Sequence, residues 1–428
     1  MAYSLGIFLR DTRVGTLTQD EASGLLSITY QTEWQQNGYA ISTGLPLDNQ
    51  HSLTAAYNYL DNLLPEGEAR KLLALDLGVS EKQVYPQIRV LGQDLSGAFS
   101  FTDNAADLSA AASFRLLGEQ ELTERLNHKE DFGLLQWDDK PRLSVAGVQD
   151  KLNVFVTAQG EIGFGDGAYC STHILKFEKP SCEHLVLNEY ICMKLSSAIG
   201  LPTAEVAFKR FGSHPALLVT RFDRRLAQTS NRVLRRHVID GCQALNLSRD
   251  YKYERNLGDG TDVLHIRDGA SLQGLFALCE RTSSPVKSMQ WLINWQLFNL
   301  MINNYDSHGK NVSLYFSLGD FSFTPAYDLV NVAMFEQFKH VLAMAMGDEF
   351  DPKSIHAYQI ADFAETCGLD RKLVSRMLTD LAKSVLKALD DRHFLTELIE
   401  QQTLSSAEHA YIDELLENIR MRTTHLQS

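Results

Sequence analysis

The sequence contains no Cys-x-x-Cys pair. Its six cysteines, Cys170, Cys182, Cys192, Cys242, Cys279 and Cys367, are scattered, and neither a disulfide framework nor a zinc site follows from their spacing. No run of about 18 apolar residues occurs, so no transmembrane helix is expected. There is no internal repeat and no low-complexity tract, which excludes a solenoid. Positive charge is in short supply: 40 Lys and Arg stand against 54 Asp and Glu, a formal charge of −14. That balance argues against a protein whose main task is to hold nucleic acid by itself, although local basic patches stay open. The first residues reach Arg10 and Asp11 too early for a secretory signal. The expectation is a soluble protein of a reducing compartment, the cytoplasm.

Apolar residues make up 44% of the chain and aromatics 9%, ample material for hydrophobic cores. A length of 428 residues exceeds the roughly 250–300 that one core supports, so two or three domains are expected. Residues 4–9 and 14–17 flank Asp11-Thr12-Arg13 as a hairpin, and residues 26–30 alternate apolar and polar side chains. Ser52 reads as the N-cap of a helix carrying Leu53, Ala56, Tyr57, Leu60 and Leu64 and ending at Pro65. A second helix lies between Glu66 and Leu77, closed by Gly78. The polar stretch 102–113 is the best candidate boundary. Beyond it residues 152–156, 173–177, 206–208 and 216–220 read as strands, and 183–199 as a helix. From Leu272 onward the pattern is mostly helical, interrupted by strands at 312–316 and 321–324. The expected class is α+β and two-lobed, mixed first and mostly helical afterwards, divided as 1–110, 111–221 and 222–428.

One stretch concentrates chemistry: Asn303-Asn304-Tyr305-Asp306-Ser307-His308-Gly309-Lys310-Asn311, followed by Pro325-Ala326-Tyr327-Asp328. It supplies an Asp, an Asn five residues later and a second Asp seventeen residues after that. Protein kinases space their phosphoryl-transfer groups in this way: an Asp to receive the hydroxyl proton, an Asn for magnesium, and a later Asp that grips magnesium under the phosphates. Trp291, Leu292, Trp295, Leu297, Phe298, Met301 and Ile302 wrap most of the preceding helix. A buried helix there would hold the loop rigid, and positioning is most of what phosphoryl transfer asks of a protein. On this reading Asp306 is the base, Asn311 and Asp328 bind metal, Lys310 offsets charge on the transferred group, and His308 orients the loop. Taken singly, each is an ordinary turn residue after a helix; the set points to catalysis.

Upstream, Arg142-Leu143-Ser144-Val145-Ala146-Gly147-Val148-Gln149-Asp150-Lys151 precedes a strand. With a single Gly it is neither a Walker A loop nor a glycine-rich kinase loop, yet small residues before a strand let backbone N–H groups approach phosphate oxygens. Lys176 ends an alternating strand that projects one Lys inward, as does the strand lysine that pairs with α- and β-phosphates. Glu189 on the next helix could hold it. Arg221-Phe222-Asp223-Arg224-Arg225 falls where a lobe-connecting hinge belongs; its backbone could read an adenine edge and Phe222 could pack on the ring. Residues 221–236 hold six arginines, either a patch for an acidic partner or phosphates, or a solvated charged face.

Together these residues resemble the HipA family, serine/threonine kinases that act as toxins of bacterial toxin–antitoxin modules. The resemblance spreads over nearly the whole chain: Asn62-Leu63-Leu64-Pro65, Ser144 to Lys151, Thr172-His173-Ile174-Leu175-Lys176, Asn188-Glu189-Tyr190, Arg221-Phe222-Asp223-Arg224, Cys242-Gln243, Asp306 to Asn311, and Tyr327-Asp328. It implies a protein-kinase-like, two-lobed fold with an added β-rich N-terminal subdomain, using ATP and magnesium. Asp306 would be the base, Asn311 and Asp328 the metal ligands, and Lys176 the phosphate lysine. Ala146, Gly147, Val148, Gln149, Asp150 and Lys151 would form the phosphate loop, and Thr220, Arg221 and Phe222, with Asp223 beside them, the adenine hinge.

The resemblance further implies that Ser144 is autophosphorylated and that the modified loop leaves the site, switching the kinase off. A dianionic phosphoserine beside nucleotide phosphates meets like-charge repulsion, which Arg142 and Lys151 could partly offset. Also implied are a target in translation such as an aminoacyl-tRNA synthetase, growth arrest and persistence, and a small helix-turn-helix antitoxin (HipB-like). That antitoxin would hold the kinase inactive and supply most contacts to operator DNA in autorepression. From the residues alone two rivals stay open. The pattern Asp-x-His-x-x-Asn also resembles the loop of lipid kinases, with a small-molecule kinase as a variant, and a pseudokinase scaffold for a repressor shares the outline.

Overall fold

The computed structural model of the protein describes residues 2–105, 108, 111–128, 134, 136–138, 140–142, 150–227, 232–400 and 402–427. The chain opens on a four-stranded antiparallel sheet of Ala2–Leu9, Thr12–Asp20, Leu26–Tyr30 and Phe99–Thr102. Leu5, Ile7, Leu17 and Ile28 line its buried side. The first hairpin turns at Arg10, whose φ of 55° suits a two-residue loop matched to strand twist. Thr12 and Arg13, expected in the turn, therefore belong to the second strand. The next helix also starts later than expected. The Ser52 carbonyl accepts the Ala55 N–H at 3.1 Å, a tight turn that leaves Leu53 exposed, and Ala55–Leu63 begins behind Thr54. Helices Gly67–Asp76 and Val84–Leu91 follow.

A second, six-stranded antiparallel sheet runs in the order Val206–Phe211, His214–Thr220, His173–Phe177, Lys151–Val156, Ile162–Asp166, Ser113–Leu116. Thr102 thus closes the first sheet and Ser113 opens the edge strand of the second. Side chains alternate across it. Leu175 and Phe177 join a small core with Leu152, Val154, Leu218 and the helix residues Leu122 and Leu126, while Ile174 packs on the other side, against the large core. Lys176, two residues on from Ile174, shares that side. There it meets the helix Leu185–Ala198, buried along most of its length, as expected of a helix that is apolar nearly all round.

The large core is continuous from Leu5 and Ile7 of the first sheet, through Ile191 and Leu195, into the helices Leu272–Cys279, Pro285–Met301, Ala357–Thr366, Arg371–Asp390 and Ser406–His425. In Pro285–Met301, Leu292, Ile293, Trp295, Leu297, Phe298 and Met301 are all buried, as expected; Trp291 is half-buried. At about 1.5–3 kcal/mol for each large apolar side chain removed from water, this helix is a fixed base for the loop at its C-terminus. After that loop, Ser313–Ser317 and Asp320–Phe323 pair with the earlier strand Val238–Asp240 in a three-stranded sheet. Among the described residues no helix is long and apolar enough to cross a membrane.

The arginines of residues 221–236 do not act as one group. Arg221 and Arg224 are buried. Arg224 donates to the carbonyls of Gly97 and Leu95, each at 2.5 Å, and Arg235 donates to those of Gly97, Gln93 and Leu95 at 3.1, 2.8 and 3.0 Å. They grip a loop of the N-terminal region whose carbonyls would otherwise lie unpaired in the interior. Arg225 and Arg236 are exposed.

Candidate active site

Lys176 lies opposite Lys151 across the ladder, both buried. The Lys176 ammonium is 2.5 Å from Glu189 Oε1 and also contacts Asp328 Oδ1 directly. Burial by itself would raise the Asp328 pKa, but the ammonium groups of Lys176 and Lys151 overcome it and hold the carboxyl well below its usual range. Burial lowers Lys151. For Lys176 the two carboxylates outweigh burial and push it up. Glu189 is shifted upward by burial, with Lys176 opposing. Two lysines and two carboxylates cancel in formal charge, so the group is neutral before any ligand enters. Asp328 adopts φ 53°, a left-handed conformation that Asp tolerates better than most residues.

Asp306 is exposed where Asn304, Ser307, His308, Lys310 and Asn311 are buried. One amide side chain ties both aspartates: Asn304 Oδ1 accepts the Asp306 N–H at 3.2 Å and its Nδ2 donates to the Asp328 carbonyl at 3.3 Å. Asn311 Nδ2 donates to the Asp306 carbonyl at 2.8 Å, leaving its amide oxygen as the remaining acceptor. His308 works from within the loop, where Nδ1 accepts the Lys310 N–H at 3.2 Å, and burial lowers its pKa. Gly309 is required by close approach, since a Cβ there would stand 2.5 Å from Ala270 Cβ.

Other expected residues are placed differently. Lys310 does not stand free for a transferred group. Its ammonium is bound by the Asn62 carbonyl at 2.8 Å, Asn62 Oδ1 at 3.0 Å and Asp240 Oδ2 at 2.9 Å, which makes it a tie between the loop and the N-terminal region. At the hinge, the Arg221 guanidinium forks onto Asp223 at 2.9 and 2.8 Å, and Asp223 Oδ2 accepts the Gly97 N–H at 3.0 Å. The N–H groups of Thr220 and Arg221 go to the carbonyls of Glu205 and Thr172. These side chains hold the hinge together instead of facing a base. Phe222 packs on Tyr327, ring centroids 5.5 Å apart. Arg142 is spent on Asp166, at 3.1 Å to each oxygen, and is not free to offset charge on Ser144. Ser144, Ala146, Gly147, Val148 and Gln149 lie outside the described residues; Asp150 adjoins the strand that begins at Lys151.

Among the described residues no group of three or more His, Cys, Asp and Glu could hold a metal by itself. The candidate donors are the Asp328 carboxylate and the Asn311 amide oxygen. Both are hard oxygen ligands of the kind magnesium accepts when water and phosphates complete its shell. The Lys176 ammonium already contacts the Asp328 carboxylate.

Sequence reasoning missed the supporting amides and charges. Asn188 accepts the Asn331 N–H at 2.7 Å and fixes the segment after Asp328, while Asn303 and Asn331 both donate to Asn418. Tyr253 donates to Asp306 Oδ1. An isolated Asn or Tyr carries no periodic signal. Of the amides, Asn62, Asn188, Asn303 and Asn304 stood within stretches already noted, but with no role assigned to them.

Two family patterns match this chain: a HipA N-terminal domain over residues 5–102 and a HipA-like C-terminal domain over residues 143–389. The chain is 41% identical over 413 residues to the "Serine/threonine-protein kinase toxin HipA" of Shewanella oneidensis, covering 96% of this chain and 94% of that one. Its fold is similar to HipA in the solved complex of Shewanella oneidensis MR-1 HipA, HipB and operator DNA. The TM-score there is 0.89 at 40% identity, covering 99% of this chain and 97% of the other. The sheets and helices therefore follow the HipA architecture throughout, and the chain belongs to the HipA family.

Proposed function

We propose that this protein is an ATP- and magnesium-dependent serine/threonine-protein kinase that acts as the toxin of a toxin–antitoxin module. The observation that carries the reading is the Lys176 ammonium held between Glu189 and Asp328, next to a loop whose Asp306 is tied to Asp328 through Asn304. Lys176, with Lys151 beside it, would bind nucleotide phosphates. Asp328 and Asn311 would hold magnesium, which shields phosphate charge when bound. Asp306, exposed on a loop mounted on a buried helix, is reachable by a protein hydroxyl and would take its proton. Glu189 keeps Lys176 in place while ligands come and go.

Residues 146–151 are the proposed phosphate loop and Ser144 the autophosphorylated serine. The backbone of residues 220–223 and the Phe222 ring are the proposed adenine side, with Arg221 and Asp223 as its frame. Lys310 is reassigned from the transferred group to the support of the loop. The proposed division is 1–110, 111–221 and 222–428. As partners we take a HipB-like antitoxin and, through it, operator DNA, in keeping with the complex that the Shewanella relative forms. The proposed target is a component of translation such as an aminoacyl-tRNA synthetase, reached in the cytoplasm.

The test is transfer of label from γ-labelled Mg-ATP to protein acceptors, with mass spectrometry of the chain and of a lysate. Loss of transfer in Asp306→Gln with antitoxin association kept supports the reading. Nucleotide binding without transfer in the unsubstituted, unmodified chain would favour the scaffold instead.

A further inference from the structure

Tyr253 belongs to no motif, yet its phenol donates to Asp306 Oδ1 at 2.6 Å. Its ring meets His308 edge-on with centroids 5.1 Å apart. The segment carrying it is pinned on two sides. Glu254 N–H donates to the Ala343 carbonyl at 2.9 Å, Ala270 N–H to that of Tyr251 at 2.8 Å, and Gly269 N–H to that of Glu254 at 3.1 Å. Gly269 packs so closely that a Cβ there would lie 1.8 Å from the Tyr253 carbonyl oxygen, so only glycine permits this approach.

The preceding residue, Lys252, links in two directions. Its carbonyl accepts the N–H of Gly309 at 3.0 Å, and its ammonium pairs with Glu66 Oε2 at 2.7 Å. Glu66 stands just past the helix Ala55–Leu63 of the N-terminal region, and its other oxygen lies 3.7 Å from the Lys310 ammonium. Lys310 itself returns to that region through Asn62. Glu66, Lys252 and Lys310 are all well shielded, with side chains 4–13% exposed, so these contacts are little screened by solvent.

We propose that Tyr253 is a positioning residue for Asp306 and that Glu66 sets Tyr253 through Lys252, making the N-terminal subdomain a working part of the active site. This rests on the reading of Asp306 as the base. A carboxylate that must meet an incoming hydroxyl can rotate; a bond to Oδ1 from a pinned segment stops that rotation and leaves Oδ2 for the acceptor. Misplacement of a reacting group by about 1 Å costs on the order of a hundredfold in rate, so a partial loosening is worth measuring.

The assay follows label from Mg-ATP into the proteins of a heat-treated bacterial lysate, with Mg-ADP affinity by calorimetry and thermal melts alongside. Tyr253→Phe removes one hydroxyl. The expected result is a kcat about tenfold lower, with the KM for ATP and the Mg-ADP affinity unchanged within about twofold. Glu66→Gln is expected to act in the same direction. The double variant should be about as slow as the slower single one, because both act through one contact. If Glu66→Gln unfolds, Lys252→Met tests the same link with the same expected non-additivity. Wild-type kcat in Tyr253→Phe, a loss carried by ATP affinity, or losses that multiply in the double variant overturn the proposal. Asp306→Asn is run beside them. Transfer that survives in Asp306→Asn overturns the base assignment and this inference with it. Transfer lost there but intact in Tyr253→Phe overturns the inference alone.

Discussion

Lys176 and Asp328 are 152 residues apart in the chain and in direct contact in the fold, with Glu189 on the same ammonium at 2.5 Å. Lys176→Met leaves the buried Glu189 and the half-buried Asp328 without the cation that joins them. Transfer is expected to fall at least about a hundredfold and stability by about 3 kcal/mol, read from the transfer rate and a urea midpoint. A stable variant with ordinary activity would remove Lys176 from the phosphate site.

Asp328→Asn keeps the shape of the side chain and discards the charge that gathers Lys176 and Lys151. The magnesium concentration for half-maximal rate is expected to rise about tenfold or more, and chelation with EDTA to abolish transfer in the unsubstituted protein. An unaltered magnesium titration in Asp328→Asn counts against Asp328 as a ligand.

Asp223 neutralises Arg221 and takes the Gly97 N–H. Asp223→Asn leaves a buried guanidinium short of its counter-charge and is expected to cost about 3 kcal/mol, measured by denaturant unfolding. Because the side chain faces the N-terminal region, the KM for ATP should stay within about twofold in folded enzyme. A large KM change without destabilisation would return Asp223 to the nucleotide.

Glu66 supplies a pH test. Burial pushes its pKa up, but Lys310 and Lys252 outweigh that and bring it down to about 2, below the ordinary 4.5. A carboxyl whose folded pKa is depressed stabilises the fold fully above its unfolded value and loses that contribution as pH falls toward the folded one. The window here is about pH 4.5 down to 2, and the size is at most about 3 kcal/mol. Unfolding midpoints measured from pH 6 to pH 3 should fall less steeply in Glu66→Gln than in the unsubstituted chain.

Much of the fold was legible because its signals are local. Alternation marked the strands 26–30 and 173–177, and an apolar wrap marked the helix that ends at Met301. The loop Asp306 to Asn311 stood out because its polar residues are spaced along a few positions after an apolar helix. Short elements with few side chains were missed, among them Gly241–Ala244 and Arg224–Leu226, since so brief a run shows no period.

By itself, then, the sequence determined which side chains are available for chemistry and the order in which the strands and helices present them. What those charges face was decided only by tertiary structure. An arginine or lysine looks the same in sequence whether water or a buried carbonyl awaits it. Arg224 and Arg235 were thus readable as a surface patch until the loop at residues 93–99 came to lie against them. Lys310 was readable as a catalytic cation until Asn62, 248 residues away, closed on it. Desolvation makes an unpaired interior charge too costly to leave alone, so the partner is set by whichever distant segment packs there, and no local pattern records that choice.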